Sequence, residues 1–224
     1  MLFVSLMLLV LSRTALPQNF LDSLIGDILG ALLVAASMIT ICDERRYRIF
    51  AVALGGPVVL ILGTAFLFPG KVPQHLQFLG HVASFFFLSF TVAMLVRSVL
   101  MAPIVTWDTV IGAFSGYVLI GVVWTQLFCA IDIVDKQAFT ISGEPFPEHL
   151  TPIQRHGILE YFSFTTLSTV GYGDIVPVSQ SVRGLSTFEA ICGQFYLAVL
   201  VAGLIGIRTT PKKSPPPPDE QLHG

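Results

Sequence analysis

Thr169-Val170-Gly171-Tyr172-Gly173-Asp174 sets two glycines at alternate positions in a short polar turn flanked by apolar chain. The chemistry this spacing can perform belongs to the backbone. A cation entering a dry, narrow path sheds most of its water and needs replacement oxygens. Successive carbonyls provide them if each aims at one axis, which demands alternating left- and right-handed backbone. Left-handed conformations are cheap only for glycine, so Gly171 and Gly173 meet that demand. The Thr169 hydroxyl adds a further oxygen at the inner end of the path. Val170 and Tyr172 are expected to point away from the axis and pack behind it. One chain supplies only part of such a cage, so several copies about a common axis are required, as closed homo-oligomers provide.

The flanks must position this turn. Leu159 to Ser168 is apolar and, as a helix, about three turns long, too short to cross a hydrocarbon core of roughly 30 Å. Tyr161, Phe162, Thr165, Thr166 and Ser168 lie on it as candidate supports for the turn. A segment that dips into a bilayer and returns as irregular backbone is tolerated only where protein or water covers it. Such a helix also aims the negative end of its dipole at a cation on the axis. Beyond the turn, Asp174, Ile175, Val176 and Pro177 leave the site, with Pro177 blocking an immediate helix.

From Tyr161 to Pro177 the chain resembles the pore region of the tetrameric potassium-channel superfamily, whose established filter string is Thr-Val-Gly-Tyr-Gly. The likeness extends to the apolar segments on either side, about Trp107 to Ile207. It implies a homotetramer conducting K+ passively, with the ion held by carbonyls of Thr169, Val170, Gly171 and Tyr172 and by the Thr169 hydroxyl. Gly173 and Asp174 complete the filter. Gly193 falls where many relatives have an inner-helix hinge, although close helix packing explains a small residue there equally well. Two positions depart from the family pattern. Many relatives carry paired tryptophans where Tyr161 and Phe162 stand, one of them bonding the filter tyrosine. Phe162 has no donor for such a bond, while Tyr161 can bond elsewhere near the mouth. Thr165 replaces a buried glutamate or an aliphatic residue.

The chain is 54% hydrophobic and 12% charged. Apolar stretches at about 2–16, 24–41, 49–68, 76–100, 109–131 and 185–207 predict an all-α membrane protein of about six transmembrane helices plus a re-entrant pore helix and filter. Three regions follow: a four-helix membrane module over 1–104, a pore domain over 105–208, and a disordered Pro-rich cytoplasmic tail over 209–224. The first stretch lacks a basic leader and a small-residue cleavage site, which favours a retained helix over a cleaved signal. Arg45, Arg46 and Arg48, Arg97, and Arg208, Lys212 and Lys213 fall on one side of this topology, which is therefore cytoplasmic. The expected location is a multi-pass plasma or inner membrane. The segment Asp132–His156 reads as an outer loop.

Net charge of −2 gives no nucleic-acid signature, and no acid/base or nucleophile constellation points to an enzyme. Cys42, Cys129 and Cys192 read as small apolar-environment residues, not a disulfide framework. The fourth helix carries a single arginine, Arg97, and each charge moved through the field contributes only about 2.3 kcal/mol per 100 mV, so gating by an arginine-rich helix is not expected. Arg13, Asp27, His75 and His81 fall on the outer half. Interfacial snorkelling is their simpler account, with sensing of external protons by the histidines as the alternative. Gly112 and Gly116 have the small-xxx-small spacing of helix packing. Alternative functions are a weakly selective cation channel or a membrane sensor subunit with a vestigial pore.

Overall fold

The computed structural model describes residues 6–7, 53, 55–61, 63, 72–102, 104 and 106–209. Apart from Leu6 and Met7, the expectations for the stretches 2–16 and 24–41, for Arg13, Asp27 and Cys42, and for the tail from 210 fall on residues outside these. The described part is mostly helical: α1 (Gln74–Leu100), α2 (Trp107–Val134), β1 (Phe139–Ile141), β2 (Glu144–Pro145), α3 (Pro152–Leu167), β3 (Ile175–Pro177) and α4 (Gln180–Thr209). Among the described residues, α1 and α2 are long and apolar enough to cross a membrane, at 27 and 28 residues. At 1.5 Å per residue each is roughly 40 Å long, more than the ~30 Å core demands.

Local chemistry sets the helix ends. The Thr106 side chain accepts from the Thr109 amide and the Thr109 side chain accepts from the Thr106 amide, a reciprocal cap that starts α2. Thr151 and Gln154 form the same box at the start of α3, with Pro152 in the first turn, where a missing amide hydrogen costs nothing. This box moves the start of α3 to Pro152, well before the Leu159 expected from hydrophobicity. The helix has 16 residues, roughly 24 Å, still short of a full crossing.

The expected loop over 132–156 needs correction, and the mostly helical chain carries one small sheet. The last turn of α2 extends to Val134, and a three-stranded antiparallel sheet of order β2-β1-β3 follows. Thr140 pairs with Pro145 and Ile141 with Glu144 across a two-residue turn. Ser142 and Gly143 make that turn with φ of 51° and 88°, the primed geometry whose twist matches the strands. On its other edge β1 pairs with β3, Phe139 opposite Pro177 and Ile141 opposite Ile175. The outer hairpin is thereby stitched to the strand that leaves the glycine turn.

Helix α2 is the hub, packing on α1, α3 and α4. One buried cluster joins α1 to α2 through Phe87, Leu88, Val118, Leu119 and Val122. A second gathers Phe128, Phe139, Phe146, Leu159, Phe162 and Ile175 under the hairpin. Small residues permit the close approaches. A Cβ on Gly121 would strike the Phe164 ring, and one on Gly116 the Tyr196 hydroxyl. Gly112 lies against Val99 and Leu95, which agrees with a packing role for the Gly112/Gly116 spacing.

Candidate functional site

Helix α3 stops at Leu167 and its last carbonyls turn the chain. The Thr165 carbonyl accepts from the Val170 amide at 2.8 Å and the Gly171 amide at 3.2 Å, and the Thr166 carbonyl accepts from Thr169 at 2.9 Å. Ser168 anchors the corner, its hydroxyl donating to the Phe164 carbonyl at 2.6 Å. Positive φ then recurs at every second residue: 60° at Thr169, 54° at Gly171 and 79° at Gly173. This is the alternation expected for a row of carbonyls facing one way, and it reaches one residue further than the glycines. Thr169 is β-branched, so its left-handed backbone is strained. Nothing local in the sequence signals it.

The supports sit as two layers behind the turn. Phe162 is buried and meets Phe128 and Phe139 edge-on, with ring centroids 5.3 and 5.4 Å apart. Tyr161 lies flat against Tyr172, with the rings 6.3 Å apart and 3° from parallel. Its hydroxyl faces the Asp174 carboxylate. Asp174 is fixed through its backbone, its carbonyl accepting from the Ser142 amide at 2.7 Å. Thr165 turns its hydroxyl back onto the Phe162 carbonyl at 3.0 Å. Thr166 contributes its carbonyl to the corner.

Helix α4 braces α3 from behind. The Ser163 hydroxyl reaches the Gly121 carbonyl at 2.9 Å and Glu189 Oε1 at 2.5 Å, and both Ser163 and Glu189 are fully buried. A Cβ on Gly193 would collide with the Leu167 carbonyl. The sequence reading passed over Ser163 and Glu189. A glutamate inside an apolar helix was the available signal.

Residues 157–208 match the family model described as "Ion channel". Over 50 residues the chain is 44% identical to an inward rectifier potassium channel, Kirbac3.1, of Paramagnetospirillum magnetotacticum, covering 22% of this chain and 17% of that one. Over 46 residues it is 48% identical to a voltage-gated potassium channel, Kch, of Escherichia coli, covering 20% of this chain and 11% of the other. Over this part of its length the chain is similar to ion-channel and potassium-channel sequences. It spans less than a fifth of the length of either relative, and no solved structure matches it.

The residues matched by the family model cover most of α3, the glycine turn, β3 and α4. In the single chain its apolar surface is conspicuously uncovered. Val170 is 51% exposed, Tyr172 71% and Phe195 70%, with Phe188 and Ile191 also exposed on α4. Val170 and Tyr172 were expected to pack behind the turn. Tyr172 has the Tyr161 ring on one face only. Exposed apolar side chains in this number mark contact with lipid or another protein chain.

Proposed function

We propose that four copies of this chain assemble into a channel that passes K+ down its electrochemical gradient. The observation that carries the proposal is the alternation of positive φ at Thr169, Gly171 and Gly173. Such a backbone presents carbonyls of Thr169, Val170, Gly171 and Tyr172 toward one side, where four chains would complete oxygen cages for a dehydrated ion. The Thr169 hydroxyl adds an inner ring, and Gly173 and Asp174 form the outer mouth. Potassium is the permeant ion and the only small partner required.

The uncovered Val170, Tyr172, Phe188, Ile191 and Phe195 support this assembly, since neighbouring subunits and lipid would bury them. The potassium channels among the relatives support the choice of ion. In the proposed subunit α2 and α4 line and frame the pore, and α3 is the re-entrant pore helix. Residues 1–104 supply a four-helix N-terminal membrane module, completing about six spans. The tail from 209 lies in the cytoplasm of a cell whose plasma or inner membrane holds the channel. Gly193 serves the packing of α4 on Leu167, and no hinge is needed to account for it. Catalysis has no part in the proposal.

The test is K+ efflux from liposomes containing the purified protein, with Na+ as competitor and Ba2+ as blocker. Potassium efflux that Ba2+ stops and Na+ does not replace supports the proposal. Equal Na+ permeation would instead indicate a weakly selective cation channel, and sealed liposomes a sensor subunit with a vestigial pore.

A further inference from the structure

The bonds that shape the corner between α3 and the glycine turn are local. Phe164, Thr165 and Thr166 supply the carbonyls, and Ser168, Thr169, Val170 and Gly171 supply the donors. These bonds set the turn relative to the end of α3 and leave open where that end sits. Ser163 fixes α3 to its neighbours one turn earlier, through Gly121 and Glu189. The carbonyl of Leu167, the last residue of α3, is met from another helix. The Tyr117 hydroxyl of α2 donates to it at 3.3 Å. Gly193 of α4 closes on the same oxygen, which an added Cβ would strike. Leu167 itself is fully buried.

A helix leaves its last carbonyls without amide partners, and a buried one needs a donor from elsewhere. Tyr117 provides it for Leu167. Thr169 follows two residues later with φ of 60°, and a β-branched residue holds that conformation only where its surroundings over-determine it. Without the Tyr117 hydroxyl, the Ser168 amide still bonds Phe164, but the Leu167 carbonyl has lost its tether to α2. Its peptide plane can then tilt, and the tilt passes along the chain to the oxygens of Thr169. A ring of replacement oxygens distinguishes ions through its size and the number of oxygens that reach the ion. A ring whose members tilt is poorer in both. The Tyr117 ring is seated against Tyr196 of α4, with centroids 5.9 Å apart and planes 39° from parallel. The Tyr196 hydroxyl donates to the Ala113 carbonyl, so it ties α4 to α2 and not to the corner.

We propose that Tyr117 is a positioning residue for the inner end of the carbonyl row, holding the Leu167 carbonyl so that Thr169 presents its oxygens where K+ requires them. The proposal rests on the channel reading above and adds to it a residue outside the matched segment 157–208. It separates two tyrosines that touch each other. The Tyr117 hydroxyl serves ion discrimination, and the Tyr196 hydroxyl serves the stability of the helix packing.

The test compares wild type, Tyr117→Phe and Tyr196→Phe in planar bilayers with K+ on one side and Na+ on the other, and measures thermal unfolding in detergent alongside. Each variant keeps its ring and loses one hydroxyl. One hydrogen bond is worth a factor of roughly two to ten. Tyr117→Phe should therefore lower the preference for K+ by about twofold or more, which moves the zero-current voltage toward zero by roughly 18 mV or more. Tyr196→Phe should unfold earlier and keep the wild-type voltage. An unchanged voltage in Tyr117→Phe makes Tyr117 a packing residue and overturns the proposal while leaving the channel reading standing. An equal displacement in Tyr196→Phe overturns it too. Wild type that passes no K+, or passes Na+ as readily, defeats the channel reading and the proposal with it. NMR of the wild-type protein decides the contact even if Tyr117→Phe does not assemble. A Tyr117 hydroxyl proton coupled to the Leu167 carbonyl carbon is expected, and a hydroxyl in free exchange with water refutes the tether.

Discussion

Alanine at Gly173 isolates the backbone requirement from packing. The φ of 79° at this residue is a conformation that L side chains resist, yet an added Cβ would meet no atom within 4 Å. Within one chain the effect is therefore conformational, about 1–2 kcal/mol per residue. Four copies in the proposed ring raise this to roughly 4–8 kcal/mol, and each 1.4 kcal/mol is a factor of ten. The conductive backbone should thus become about a thousandfold to a millionfold rarer in Gly173→Ala. The assay is K+ efflux from liposomes at matched protein content, with chromatography confirming that the variant still assembles. Gly184→Ala is the control, because that glycine is helical and an added Cβ there would meet nothing within 4 Å, and it should conduct like wild type. Gly173→Ala flux within tenfold of wild type would refute the carbonyl account, as would equal loss in Gly184→Ala.

The supports make further predictions. Tyr161→Phe removes the hydroxyl that faces Asp174 but keeps the ring on Tyr172, so current should decay faster during sustained conduction; Asp174→Asn should act the same way, and the double variant no worse than either alone. Phe162→Ala empties the centre of the Phe128–Phe139 cluster and should cost about 3–5 kcal/mol, read as earlier thermal unfolding in detergent, with Phe162→Leu much milder. Ser163→Ala takes from buried Glu189 its 2.5 Å partner and should destabilise the fold by about 1–3 kcal/mol. Pairing it with Glu189→Leu, which leaves no stranded polar group, should recover most of that loss in the same unfolding measurement.

What the sequence made legible was local. Gly171 and Gly173 announce a left-handed backbone by themselves, and the apolar runs 76–100, 109–131 and 185–207 lie inside α1, α2 and α4. The early start of α3 was also written locally, in the Thr151-Pro152-Ile153-Gln154 cap, but hydrophobicity alone pointed to Leu159. The hairpin had its own signal in Ser142-Gly143, between residues of strand-forming type, yet three prolines made the segment look irregular. Other features could not be read because the chain brings distant residues together. Tyr117 and Leu167 come from different helices, and Ser163 meets Glu189 only because Gly193 lets α4 approach the Leu167 carbonyl. The positive φ of Thr169 belongs to this class too, since it is imposed by amides of the turn folding back onto Thr165 and Thr166 and runs against the residue's own preference.

The central claim is that the carbonyl row selects K+, and a reversal potential measures that without reference to conduction rate. With K+ on one side of a bilayer containing the purified protein and Na+ on the other, each tenfold preference displaces the zero-current voltage by about 59 mV. A displacement toward the potassium potential of that size or more is predicted; a reversal near zero would contradict it.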